Sequence, residues 1–107
     1  MSFVAMNRFR VRPGCEEEFE SRWKSRQSRL QEMPGFREFR LLKGPERDGC
    51  RLYSSHVIWD SRADFEAWTK SEQFREAHRN AGQSGTGALL DGPPQFEGFD
   101  TVLREPA

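Results

Sequence analysis

The stretch from Trp59 to Arg79, WDSRADFEAWTKSEQFREAHR, restricts the fold more than any other part of this chain. It begins where a strand should end. Ser61 with Asp64 three residues on is an N-cap pattern, with Asp where a capping box usually has Glu. Phe65, Trp68 and Thr69 then share one helical face. Ser71 followed by Glu72 reads as a second N-cap, so the spacing predicts a helix, a break and a second short helix. Phe74 and His78 lie four apart on that second helix. A histidine ending an apolar helical face beside a Gly-rich loop could ligate a metal, but spacing alone favours a partly buried core position. Both readings stay open.

The other elements follow from the same reasoning. Residues 2 to 12 alternate: Phe3, Ala5, Asn7, Phe9 and Val11 face one way, Val4, Met6, Arg8 and Arg10 the other. That period of two is a strand. Asn7 interrupts the more apolar face. A buried amide without partners costs roughly 1–3 kcal/mol, so Asn7 either bonds a neighbouring loop or points into a pocket. Pro13 and Gly14 end the strand. Glu16, Glu17 and Glu18 then favour the positive end of a helix dipole, and the helix is expected to run to about Glu32. Its apolar stripe is Phe19, Trp23, Leu30 and Met33. Arg22, Arg26 and Arg29 flank the stripe, either as a solvated row or facing the carboxylates of a buried ligand.

Pro34 and Gly35 stop that helix. Phe36 to Lys43 reads as a second strand, Gly44 to Gly49 as a turn-rich connection, and Arg51 to Trp59 as a third strand. Both faces carry apolar residues: Phe39 and Leu41 against Phe36 and Leu42, and Tyr53, Val57 and Trp59 against Leu52 and Ile58. A sheet with two apolar faces needs two covers, and so few helices can cover only one. A second copy of the chain is the expected other cover. His56, in mid-strand, reads as structural. Residues 80 to 94 hold four glycines and two prolines, a long loop of the kind that often serves as a lid. Gln95 to Glu105 is the last strand. The order strand, helix, strand, strand, helices, strand is the split βαβ, ferredoxin-like α+β arrangement with an antiparallel sheet. Residues 1 to 107 form a single domain.

Composition removes several classes of function. Lysine plus arginine total 17 and aspartate plus glutamate total 17, so the basic excess of a nucleic-acid binder is absent. No stretch approaches the roughly 20 apolar residues of a membrane span. The alternating N-terminus is not expected to be a signal peptide. Cys15 and Cys50 lack metal-ligand spacing and read as reduced thiols of a cytoplasmic protein. Nine phenylalanines and three tryptophans in so polar a chain suit an aromatic pocket or a buried interface.

Four segments together resemble the IsdG-type haem-degrading monooxygenases of the antibiotic biosynthesis monooxygenase (ABM) superfamily. They are Met6-Asn7-Arg8 on the first strand, SRWKSR around Arg22 and Arg26, Pro34-Gly35-Phe36, and W-x-S-x-x-x-F-x-x-W from Trp59 to Trp68 running on into SEQFREAH, which ends at His78. The resemblance covers nearly the whole chain and implies a dimeric α+β barrel. It also implies a catalytic set of Asn7, Trp68 and His78, with His78 as the axial ligand of haem iron. Trp68 would press on the haem face and distort it, and Asn7 would offer an amide N–H to the attacking oxygen. Arg22 or Arg26 would meet a propionate, and Phe9, Phe19, Trp23, Phe65 and Phe74 would supply apolar walls.

The implied activity takes haem as both substrate and oxygen-activating cofactor. It consumes O2 and draws electrons from an external reductant or reductase, since no flavin or nicotinamide motif is present. Two rivals are a cofactor-free ABM monooxygenase acting on an aromatic or quinol-like substrate, and a non-catalytic haem-binding or delivery protein. The pairing of Asn7 with Trp68 favours an enzyme over simple binding.

Overall fold

In the computed structural model, which describes residues 2–26, 29–76 and 86–107, the N-terminal alternation becomes strand β1, Phe3–Val11. Phe3, Ala5, Phe9 and Val11 are buried; Asn7, between them, is half-buried. Helix α1 (Glu16–Ser25) follows, with its three glutamates in the first turn. A 3-10 turn at Leu30–Glu32 leads to β2 (Phe36–Arg47), then β3 (Cys50–Trp59) and α2 (Arg62–Thr69). A helical turn at 72–76, a 3-10 turn at Thr86–Leu89 and β4 (Gln95–Asp100) complete the described chain.

The sheet order is β2-β3-β1-β4, and every neighbouring pair is antiparallel. This is the expected ferredoxin-like topology. The helices cover one face. Ser61 caps α2 by accepting the Asp64 N–H at 3.2 Å. Gly35, at φ 81°, lets the preceding loop press against that cap, where a Cβ would overlap the Asp64 side chain. Gly98 on β4 is equally confined, since a Cβ there would lie 2.6 Å from the Phe3 ring.

Three boundaries and one side-chain facing differ from the sequence expectation. Helix α1 stops at Ser25 instead of running to Glu32, because Arg26 turns extended (φ −72°, ψ 134°) and Arg29 is left-handed (φ 58°, ψ 18°). The flank of three arginines is therefore broken. Strand β2 continues to Arg47, and the hairpin closes on Asp48 and Gly49 alone, both at positive φ (54° and 81°), as a two-residue hairpin turn requires. A register shift between Phe36 and Glu38 puts Phe36 on the core side with Phe39, not opposite it. Finally, β4 ends at Asp100, where its partner β1 ends at Phe3.

The core under the helices has two parts. Phe3, Ala5, Leu30, Trp59 and Trp68 form one cluster, at the α2 end of the sheet. Phe9, Val11, Phe19, Tyr53, Leu89 and Leu90 form the other, at the α1 end. Asn7 falls in the register between them. The described part of the 80 to 94 loop is anchored at its middle, with exposed residues on either side. Leu89 and Leu90 are buried, and the Arg12 N–H donates to Leu89 O at 2.8 Å while the Asp91 N–H donates to Arg10 O at 2.8 Å.

Candidate active site

The gap between the two clusters is a cavity of about 580 Å³, within the size range of small-molecule sites. Asn7 of β1 and Ser55 of β3, directly paired across the strands, sit in the strand register that separates the two clusters. Each is the one polar residue in an otherwise apolar run on its face: Ala5-Asn7-Phe9, and Tyr53-Ser55-Val57. The walls are aromatic, with Trp23, Phe39, Trp59, Phe65, Trp68 and Phe74 all lining the space.

Those rings hold one another in place. Trp23 stacks on Phe39 (5.5 Å between centroids, 19° between planes), and Phe65 stacks on Phe96 (5.5 Å, 8°). Trp68, 5% exposed, meets Phe74 edge-on at 5.5 Å and lies 6.1 Å from Trp59. The break at Ser71 makes the Trp68–Phe74 contact. The Ser71 hydroxyl donates to Trp68 O at 2.6 Å, ending α2, and accepts the Phe74 N–H at 3.1 Å, starting the next turn. One side chain thus redirects the chain so that both rings face the cavity.

Arg26 is the only cation lining this space among the described residues. As the C-cap of α1 it leaves the helix in an extended conformation, and its guanidinium lies over the Trp23 ring at 4.6 Å. Its Nε is buried without a hydrogen-bond partner. Burial alone pulls its pKa below the ordinary guanidinium value, and no carboxylate offsets it. A guanidinium stays protonated even so. Arg26 is thus a desolvated positive charge beside an apolar cavity, without an ion-pair partner among the described residues. The side-chain amide of Asn7 also makes no hydrogen bond to any described residue.

Residues 2–80 match the sequence profile described as antibiotic biosynthesis monooxygenase, or ABM. The chain belongs to the ABM family. It is 32% identical over 78 residues to a Staphylococcus haemolyticus protein named heme oxygenase (staphylobilin-producing), a match covering 73% of this chain and 74% of that one. Its fold is similar to that of the heme-degrader MhuD from Mycobacterium tuberculosis, solved with two hemes in its active site. The TM-score is 0.68 at 26% identity, over 97% of this chain and 99% of that one. SnoaB, a cofactor-independent oxygenase from Streptomyces nogalater, shares the fold at TM-score 0.68 and 24% identity, over 99% and 98%.

Of the residues the sequence marks out, Asn7, Phe9, Trp23, Arg26, Phe65, Trp68 and Phe74 all line the cavity of this ABM domain. Phe19 packs behind it, in the α1-end cluster. Arg22 is not among the lining residues; it pairs with Glu18 on its own helix at 2.6 Å. His78 lies outside the described residues. His56 is on the other face of the sheet, in a hollow with Met6, Arg8 and Arg10. Sequence reasoning missed Ser55, although it carries the same signal as Asn7. It also missed Phe39, Leu90 and Phe96 as lining residues.

Proposed function

We propose that this ABM protein is a haem-degrading monooxygenase that holds haem in the cavity with His78 as its axial ligand. It opens the porphyrin ring with O2 and electrons from an external donor, releasing iron and an open-chain tetrapyrrole. The observation that carries this reading is the desolvated guanidinium of Arg26, without an ion-pair partner among the described residues, beside an aromatic cavity. Haem is a flat apolar body with anionic propionates, and this site offers the complement of both. The relation to a named haem oxygenase points the same way.

Each residue then has a physical task. Arg26 pairs with a propionate and regains in that ion pair part of the hydration it has lost. The aromatic walls exclude water and fix the plane of the ring. Trp68, braced by Phe74 and Trp59, presents an indole that cannot retreat from a ring lying against it. Asn7, whose side-chain amide bonds no other described residue, would donate to oxygen at the edge of the macrocycle. Bound haem supplies the iron that activates oxygen. The sequence contains two histidines, and with His56 on the opposite face His78 is left as the imidazole for this cavity.

A homodimer is part of the same reading. The open sheet face carries Leu42 and Phe99, 41% and 47% exposed, around Met6 and His56, and a second copy would cover it.

A hemin titration followed at the Soret band tests the ligand. Wild type and His56→Ala are expected to give the same imidazole-ligated spectrum, and His78→Ala to lose it. A spectrum unchanged in His78→Ala would reassign the ligand. No specific Soret band in wild type would favour a cofactor-free reaction on an aromatic substrate.

A further inference from the structure

We propose that Arg29 is a positioning residue for haem ligation. By tying Glu76 to the 3-10 turn at Leu30–Glu32, it fixes the helical turn 72–76 beside the cavity. The inference rests on the haem-degrading reading above and adds a residue to it.

The geometry is specific. Arg29 Nε and Nη2 donate to the two carboxylate oxygens of Glu32, at 2.7 and 2.9 Å, and Nη1 donates to Glu76 at 2.5 Å. One planar guanidinium therefore bridges two carboxylates, which a lysine ammonium on its flexible stem cannot reproduce. Arg29 does this from the left-handed region (φ 58°), which side chains other than glycine rarely adopt. Backbone held there marks a segment over-determined by its surroundings. The local fold has turned Arg29 away from the α1 flank and toward the turn 72–76.

The two segments joined both contribute to the cavity wall. Arg26 and Leu30 line it from the α1 side, and Phe74 lines it from the turn 72–76. The pair spans 47 residues of sequence. Beside it, the turn is fastened by the Ser71 cap and the packing of Phe74 on Trp68. In the sequence, His78 stands two residues beyond Glu76. The turn 72–76, from which the chain runs on to the proposed ligand, is thus held in part by a surface ion-pair clasp that is open to salt and mutation.

Arg29→Gln, Glu76→Gln and the double variant test this in two readouts, with Arg29→Lys as the conservative variant. In the protein without hemin, backbone amide exchange at 72–76 is expected to rise about three- to ten-fold, in line with a pair of exposed ion pairs, while amides of β1 and β3 are unchanged. Hemin is expected to bind about three- to ten-fold more weakly, with an altered Soret band. The double variant should be no worse than Arg29→Gln, and Arg29→Lys should recover only part of the loss. The difference between wild type and variants should vanish in about 1 M KCl, where the screening length is about 3 Å.

Unchanged exchange at 72–76 would overturn the clasp. Faster exchange with unchanged hemin affinity and spectrum would leave the clasp structural and overturn the positioning role. Failure of the wild-type protein to bind hemin would remove the haem reading and the positioning role with it, whatever the exchange shows.

Discussion

Asn7 and Arg26 are the polar residues that matter most in the cavity, and neither side chain has a hydrogen-bond partner among the described residues. A desolvated charge without a partner destabilises a folded chain, and a free half-buried amide adds to that. Such positions mark sites where stability has been traded for a ligand. Arg26→Gln is therefore expected to weaken hemin binding about 10- to 100-fold, the worth of one charged hydrogen-bonded contact. It should leave the thermal midpoint of the hemin-free protein unchanged or raised. A large fall in that midpoint would show Arg26 to be structural.

Trp68 has two roles, because it is core as well as cavity wall. Trp68→Ala should cost about 3–5 kcal/mol of stability, so loss of turnover in that variant would say little about chemistry. Trp68→Phe is expected to keep the fold and hemin binding while slowing ring opening, measured by single-turnover decay of the Soret band. Full activity in Trp68→Phe would remove the argument that the indole bears on the ring. Asn7 was legible in the sequence as a polar residue on an apolar strand face. Ser55 carries the same signal and becomes legible only once β1 and β3 are paired. The choice between Arg22 and Arg26 depended on where α1 ends.

The elements were legible where a signal is local, and less so where a neighbour decides. Ser61 and Ser71 announce the α2 region by their capping chemistry, and both cap as expected. Ser61→Ala should lower stability by about 1 kcal/mol, or roughly 4 °C in thermal midpoint, without moving the hemin affinity of the refolded protein. No glycine or proline marks the end of α1. There the Ser25 hydroxyl donates to Ser21 O at 3.0 Å and to Arg22 O at 3.3 Å, competing with the backbone at the last turn. Gly44 and Pro45 look like a strand terminator. Strand β2 passes through them because it is an edge strand whose register slips between Lys43 and Glu46. The end of β4 follows the edge of its pairing with β1, whose last paired residues are Phe3 and Asp100, with the Thr101 N–H donating to Ser2 O at 2.8 Å.

At the scale of the whole molecule, one sheet face is covered by helices and holds the cavity, while the other is open. The open face mixes apolar side chains (Leu42, Phe99) with the ion pairs Arg8–Glu97 (3.2 Å) and Arg10–Asp91 (3.3 Å). The sequence made this division legible through residues on both strand faces. Light scattering on the purified protein should give twice the mass of the 107-residue chain, and Phe99→Glu should shift it towards monomer. A monomeric wild-type protein would leave that face to some other cover.

The central claim is that haem is consumed in the cavity rather than merely held there. The most direct measurement is to mix the protein with one equivalent of hemin, add ascorbate in air with catalase present, and follow the Soret band together with chelatable iron. The band is expected to decay while iron appears in equal amount, and Asn7→Ala to slow both without abolishing binding. A ligated Soret band that persists under these conditions, with no iron released, would contradict it.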